Sequence, residues 1–295
     1  MLESNRLSRE EIMNLRERGF YQQRESEYFN CRIVSGNGKI TSKEGIAICK
    51  LAEELGQGEI AFTNRQTVEI IGIGKDHIPE LEKRIKKVGI LLDGNGLKIR
   101  PIVGCKGTNC RYGLFDTFSL TDKLHQLFYV RYYENIFPNQ FKIAVAGCAN
   151  QCVKPELNDI GIVGQMVPKL LTDKCIHCEN CAIVQLCDKK AVYQENGKVH
   201  IQTEKCTHCG LCIGECPNGA LSEGVLGYRV YVGGRWGRNP KPGKPLSKLI
   251  LGEEQLLSVI ERALAIYQDK GQKGEYFADV VQRVGIEELE KKLLG

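Results

Sequence analysis

Hydrophobic and polar positions organise residues 28–90 first. In Tyr28-Phe29-Asn30-Cys31-Arg32-Ile33-Val34, the apolar Phe29, Cys31 and Ile33 alternate with Asn30 and Arg32, the two-residue period of a half-buried strand. Thr41-Ser42-Lys43-Glu44 has the form of a capping box, and Ile48, Leu51, Ala52 and Leu55 then recur at helical spacing until Gly56. Ile60 and Phe62 alternate in a second strand, Val68 and Ile70 in a third. Ile78, Leu81, Ile85 and Val88 mark a second helix, with Pro79 near its start and Gly89 past its end. The order β-α-β-β-α predicts a ferredoxin-like split βαβ unit in an α+β protein. Cys31 and Cys49 fall on its apolar positions and are expected to be packing residues.

Further along, the segments IRPIVG and FKIAVAG read as strands, and each runs straight into a pair of cysteines. Residues 168–223 are dense in cysteine and short of aromatics. From residue 224 the strand pattern resumes in GYRVYVGG, followed by the irregular loop GRWGRNPKPGKP and an apolar-periodic helix over residues 256–267. We read 168–223 as an insertion, with 97–167 and 224–295 closing one α+β domain around it; a terminal appendage is the alternative. Residues 1–27 form an N-terminal extension and 28–96 the ferredoxin-like unit.

With 295 residues, 42% hydrophobic and 26% charged, the chain has the balance of a soluble globular protein of two or three domains. It contains no apolar run of the roughly 18 residues that a membrane span needs, and its charged N-terminus does not read as a secretory signal, so the expected location is the cytoplasm. Lys and Arg exceed Asp and Glu by 41 to 36, a net +5, but the basic residues are scattered and aromatics are few, which argues against nucleic acid as partner. Fourteen cysteines are too many for a reducing compartment unless they hold metal.

Two runs among them have a specific spacing. Cys175-x2-Cys178-x2-Cys181 and Cys206-x2-Cys209-x2-Cys212-x3-Cys216-Pro217 form the bacterial ferredoxin pattern, in which the fourth cysteine of each run ligates the other run's cluster. By that rule Cys175, Cys178, Cys181 and Cys216 hold one [4Fe-4S] cluster, and Cys206, Cys209, Cys212 and Cys187 the other. Five residues, not three, separate Cys181 from Cys187, and no proline follows. Structural zinc is the competing reading of four-cysteine sites, but paired CxxCxxC runs favour iron-sulfur.

Cys105-Lys-Gly-Thr-Asn-Cys110 and Cys148-Ala-Asn-Gln-Cys152 supply a third set of four thiols. Here CKGTNCRYGLFD and FKIAVAGCANQCVKPELNDIGIVG, preceded by AFTNRQTVEIIGI and followed after the insertion by YRVYVGGRWGRNP, resemble the siroheme-binding sulfite and nitrite reductases. With a ferredoxin module inserted, the architecture is most similar to anaerobic and dissimilatory sulfite reductase subunits. The resemblance implies a fold in which a ferredoxin-like half-domain precedes a siroheme and [4Fe-4S] domain. It also implies that Cys105, Cys110, Cys148 and Cys152 hold a third [4Fe-4S] cluster, with Cys152 bridging to the siroheme iron. The family usually places five residues inside the first pair, and this chain has four.

The resemblance further implies six-electron reduction of sulfite to sulfide, with electrons passing from the two ferredoxin-type clusters to the siroheme-coupled cluster. Nitrite reduction is the nearest alternative, and a non-catalytic polyferredoxin subunit is an alternative of another class. In that family basic residues at positions matching Arg100 and Lys142, and one near Arg32, contact the substrate, and the resemblance implies that Thr63, Asn64, Arg65, Gln66 and Thr67 lie against the macrocycle. Arg235 and Arg238 in the glycine-rich loop are expected partners of its carboxylates. Each cation taken singly also reads as an ordinary solvated charge. No GxGxxG turn or flavin motif is present, so electrons are expected from a ferredoxin or from a flavin- or NADH-using subunit. The family builds its site from two copies of this arrangement, which predicts a homodimer or a hetero-oligomer.

Overall fold

The computed structural model describes residues 7–94 and 96–295. In chain order its elements are α1 (Arg9–Glu17), β1 (Phe20–Gln22), β2 (Phe29–Ile33), α2 (Ser42–Leu55), β3 (Ile60–Phe62), β4 (Val68–Ile73), α3 (Ile78–Val88), β5 (Val103–Gly104), α4 (Thr117–Leu124), β6 (Ile143–Ala146), β7 (Ile160–Lys169), α5 (Ala182–Leu186), β8 (Val192–Glu195), β9 (Lys198–Ile201), β10 (Glu223–Val232), β11 (Lys244–Pro245), α6 (Glu253–Lys270), α7 (Phe277–Val284) and α8 (Ile286–Leu294). They fall into two compact units. Of the described residues, the first comprises those up to Gly104 with Leu120–Ile143 and Tyr267–Val280; the second comprises Cys105–Ser119, Ala144–Ile266 and Val281–Gly295.

The first unit contains the β-α-β-β-α arrangement as a four-stranded antiparallel sheet of order β1-β2-β4-β3. Strand β2 alternates buried and half-buried residues, and its register on β4 sets Cys31 opposite Ile70, Arg32 opposite Glu69 and Ile33 opposite Val68. Its polar face therefore carries an arginine beside a carboxylate. The capping box starts α2: the Thr41 hydroxyl accepts from the Glu44 N–H at 3.2 Å, and the Glu44 carboxylate accepts from the Thr41 N–H at 2.7 Å. Helix α3 has its proline in the first turn and stops at Gly89, which takes the left-handed conformation at φ 80°. Ile48, Leu51, Ala52, Ile78, Leu81 and Ile85 from the two helices join Phe20, Phe29, Ile33, Val68, Ile70 and Ile73 in one core. Strand β1 extends the sheet, pairing Phe20 with Cys31.

Cys49 corrects one expectation. Cys31 is buried, but Cys49 is exposed, because the buried stripe of α2 runs through Ile48 and Leu51 and leaves the intervening positions facing solvent. The same unit holds an aromatic group the spacing did not suggest, in which Phe141 and Phe277 stand 5.2 Å apart and Tyr267 packs against both.

In the second unit β10 pairs antiparallel with β7 over ten residues, from Glu223↔Lys169 to Val232↔Ile160. Strand β6 lies on the other edge of β7, and β11 closes the outer edge of β10. The cysteine-rich stretch carries only short elements, namely α5 and the β8–β9 hairpin with Val192 opposite Ile201. Helices α1, α4, α7 and α8 were not expected from spacing, and α4 continues into a π-type stretch over His125–Val130.

Candidate functional site

Strand β6 and the segment ahead of Cys105 bring two cysteine pairs together. The Cys105 N–H donates to the Val145 carbonyl at 2.9 Å, so the first loop is laddered beside the strand that ends at Cys148. Thr117, fully buried, donates its hydroxyl to the Cys105 carbonyl at 2.8 Å and accepts from the Thr108 N–H at 3.1 Å. Glycine is required where the loops close. A Cβ on Gly113 would sit 1.9 Å from the Gly107 carbonyl oxygen, and one on Gly147 would meet Thr117 at 2.9 Å and Gly107 at 3.1 Å.

Burial pushes the Cys148 thiol up against the opposing backbone hydrogen bond at Asn150, and nearby Cys105, Cys152 and Cys110 push in the same direction as burial. The Gly147 N–H donates to Cys105 Sγ at 3.1 Å. Four soft donors, a backbone donor aimed at one sulfur and glycine-lined loops fit an iron-sulfur cluster, whose positive charge would reverse the upward push on the thiol. Cys152 is the exposed member of the set, preceded by Gln151 in the left-handed region at φ 49°.

The cysteine-rich stretch groups its thiols in the same way. Burial pushes Cys212 up to about 11, with Cys209, Cys206 and Cys187 adding to the effect, and Cys206 is raised by burial with Cys209 and Cys187. These four line a small cavity of about 30 Å3 whose other walls include Pro168, Leu186, Val192 and Leu211. Cys175, Cys181 and Cys216 pack into a small core with Ile183, Val192, Val199 and Leu221. Asn218, two residues after Cys216, points its amide at Cys178 Sγ from 3.8 Å. His177 and His208, each immediately before the second cysteine of its run, both take positive φ, at 58° and 52°, so the two loops share one backbone bend. Among the described residues no three His, Cys, Asp or Glu side chains close around a lone metal ion; a four-iron cluster takes one thiolate per iron and spreads its ligands.

Arg32, Arg100 and Lys142 lie in the first unit, and the two arginines are held by carboxylates. Arg32 donates Nε to Glu69 at 2.7 Å and stacks over the Tyr21 ring at 4.0 Å. Arg100, 4% exposed, donates to Asp93 Oδ2 at 2.6 Å, and its backbone N–H reaches the Phe141 carbonyl at 2.8 Å, beside Lys142. The stretch Thr63–Thr67 makes the tight β3–β4 turn, with the two threonine hydroxyls 2.6 Å apart and Gln66 at φ 59°. Gln66 clasps Gly104 through both its amide groups, at 2.7 and 3.1 Å, and Arg65 donates to the Pro101 carbonyl at 2.7 Å; Asn64 is exposed. In the second unit Arg235 pairs its backbone with Lys241, Arg238 is exposed, and Lys154 lies over the ring of Trp236 at 5.0 Å. Sequence spacing missed Asp93, Glu69 and Tyr21. Asp93 sits in a turn-like DGNG stretch that carries no signal for a buried anion.

Residues 95–294 match the nitrite and sulphite reductase 4Fe-4S domain, and residues 21–88 match the ferredoxin-like half domain of nitrite and sulfite reductases. The chain belongs to this family. It is 31% identical over 255 residues to the coenzyme F420-dependent sulfite reductase of Methanocaldococcus jannaschii, covering 83% of this chain but only 40% of that protein's length. An uncharacterized protein of the same organism is 32% identical over 90% of both chains. The crystal structure of dissimilatory sulfite reductase I superposes with a TM-score of 0.70 at 21% identity, over 90% of this chain and 69% of that one, a likeness of fold. The reductase family thus accounts for both the α+β half-domain and the cysteine-bearing domain after it.

Proposed function

We propose that the chain is a siroheme-dependent sulfite reductase subunit, taking sulfite to sulfide with six electrons and six protons and releasing three waters. The observation that carries this reading is the convergence of Cys105, Cys110, Cys148 and Cys152 in a chain of this family. Siroheme would supply an iron to hold the substrate's sulfur, and the three [4Fe-4S] clusters would supply electrons. Cys105, Cys110, Cys148 and Cys152 would hold one of the clusters, and Cys152 would also help to hold siroheme. Arg65, Arg235 and Arg238 would bind its carboxylates, with Thr63, Asn64, Gln66 and Thr67 alongside.

Arg32, Arg100 and Lys142 would bind the oxyanion and hold the protons needed for S–O cleavage. Reducing equivalents would arrive from a ferredoxin or from a flavin- or NADH-using subunit. The site would be completed by a second copy of this chain or by a related subunit, so that the cations of one chain serve the siroheme of the next.

Anaerobically purified protein should show discrete siroheme bands and turn over sulfite faster than nitrite in side-by-side steady-state rates. A featureless brown slope would return the chain to plain electron carriage. Cys152→Ser should abolish sulfite reduction while the clusters of residues 175–216 remain reducible. Lys142→Met should keep the bands and lose oxyanion affinity. Mixing the two inactive variants should restore part of the activity if the site is shared between chains.

A further inference from the structure

The two arginines expected at the oxyanion site meet at one buried carboxylate. Asp93 Oδ2 accepts from Arg100 at 2.6 Å and lies 3.9 Å from Arg32 NH1, with only 2% of the aspartate side chain exposed. Glu69, cross-strand from Arg32, takes the other side of that guanidinium at 2.7 Å and also accepts from Asn30 at 3.2 Å. The Asp93 backbone is itself pinned. Its N–H donates to the Arg32 carbonyl at 2.9 Å, its carbonyl accepts from the Tyr21 hydroxyl at 3.0 Å, and the preceding Leu92 carbonyl accepts from Tyr133 at 3.0 Å. The next residue, Gly94, has no room for a side chain, since a Cβ would stand 1.7 Å from the Glu17 carbonyl oxygen.

Such an anchor is more rigid than a surface ion pair needs to be. Burial pushes the Asp93 carboxyl up, while Arg100, then Arg32 and Arg65, pull it down, so the aspartate is felt by all three guanidinium groups. Long arginine side chains lose much rotamer freedom when they bind a ligand, and prior immobilisation lowers that cost.

We infer that Asp93, assisted by Glu69, is the positioning residue of the oxyanion site, fixing the guanidinium groups of Arg32 and Arg100 without touching the substrate. The inference rests on the sulfite reductase reading above. It opposes a simple electrostatic expectation. Removing a negative charge beside two cations should tighten anion binding if charge alone matters, whereas removing an anchor weakens it because the cations scatter.

The test compares parent, Asp93→Asn and Glu69→Gln holoenzymes, with Glu54→Gln as control because Glu54 pairs with Arg84 on the exposed α2–α3 surface. The expected result for Asp93→Asn is retained siroheme bands, a KM for sulfite raised about tenfold and a kcat changed far less, because binding and not chemistry is lost. Glu69→Gln should show the same split more weakly and Glu54→Gln none. A second readout is independent of turnover. Phenylglyoxal labelling followed by peptide mass spectrometry should leave Arg100 unmodified in the parent and modify it in Asp93→Asn, and Arg32 should gain reactivity in Glu69→Gln. An unchanged or lowered KM in both variants overturns the positioning role, as does unchanged labelling. If Asp93→Asn does not fold, Glu69→Gln decides alone by the same two measurements. A parent protein without siroheme bands sinks the functional reading instead, and the labelling still shows whether the carboxylates anchor the arginines.

Discussion

The sheet-and-helix half of the first unit and the cysteine-rich stretch 168–223 are of similar length but are held together by different means. Among the described residues, the first gathers fourteen buried hydrophobic side chains into one core, from Leu15 to Ile85. The second gathers five, one of them Cys181, with four more cysteines packed at the edge. We expect metal held on its thiols to make up for the sparse apolar core of the second region, whereas the first has a larger core, capped helices and a four-stranded sheet to hold it.

Stripping iron and sulfide anaerobically should separate the two regions most. Amide hydrogen exchange should become fast in Cys175–Cys216 and stay slow in β2, β4 and α2; equal retention in both would remove the distinction. Phe29→Ala attacks the other side. Phe29 is fully buried, and its truncation should cost about 3 to 5 kcal/mol in urea denaturation of the first unit while the iron content of native protein is unchanged. Thr41→Ala opens the capping box of α2 and should cost about 1 kcal/mol by the same measurement.

The smallest effect is a pH dependence. Burial lowers the pKa of His125 below its usual value near 6.5, against the opposing pull of Asp122. A histidine whose folded pKa is depressed contributes stability that is complete above the unfolded pKa and lost as pH falls through the folded one. His125→Gln should therefore flatten the loss of stability on the acid side of neutrality and leave stability at pH 8 nearly unchanged, apart from the loss of the ring stacked 4.6 Å from Tyr129. A parallel shift at both pH values would assign the residue a packing role only.

Much of the first unit could be read directly because its signals are local. The two-residue alternation of Phe29, Cys31 and Ile33, the box from Thr41 to Glu44 and the stop at Gly89 each depend on neighbours within one turn or one pleat, and each is found where its spacing places it. The cysteine runs stand out for the same reason, since the CxxCxxC spacing is a local pattern.

The sequence by itself thus determined the β-α-β-β-α order, the helix ends and which cysteines come in sets. Only the tertiary structure decided that Cys49 faces solvent and that Asp93 receives Arg100 while Glu69 receives Arg32. Residues far apart in the chain meet through strand register and loop closure, and a turn such as Asp93-Gly94 reads alike whether its carboxylate meets water or two arginines. Burial turns such a carboxylate into an anchor, and burial is a property of the packed fold.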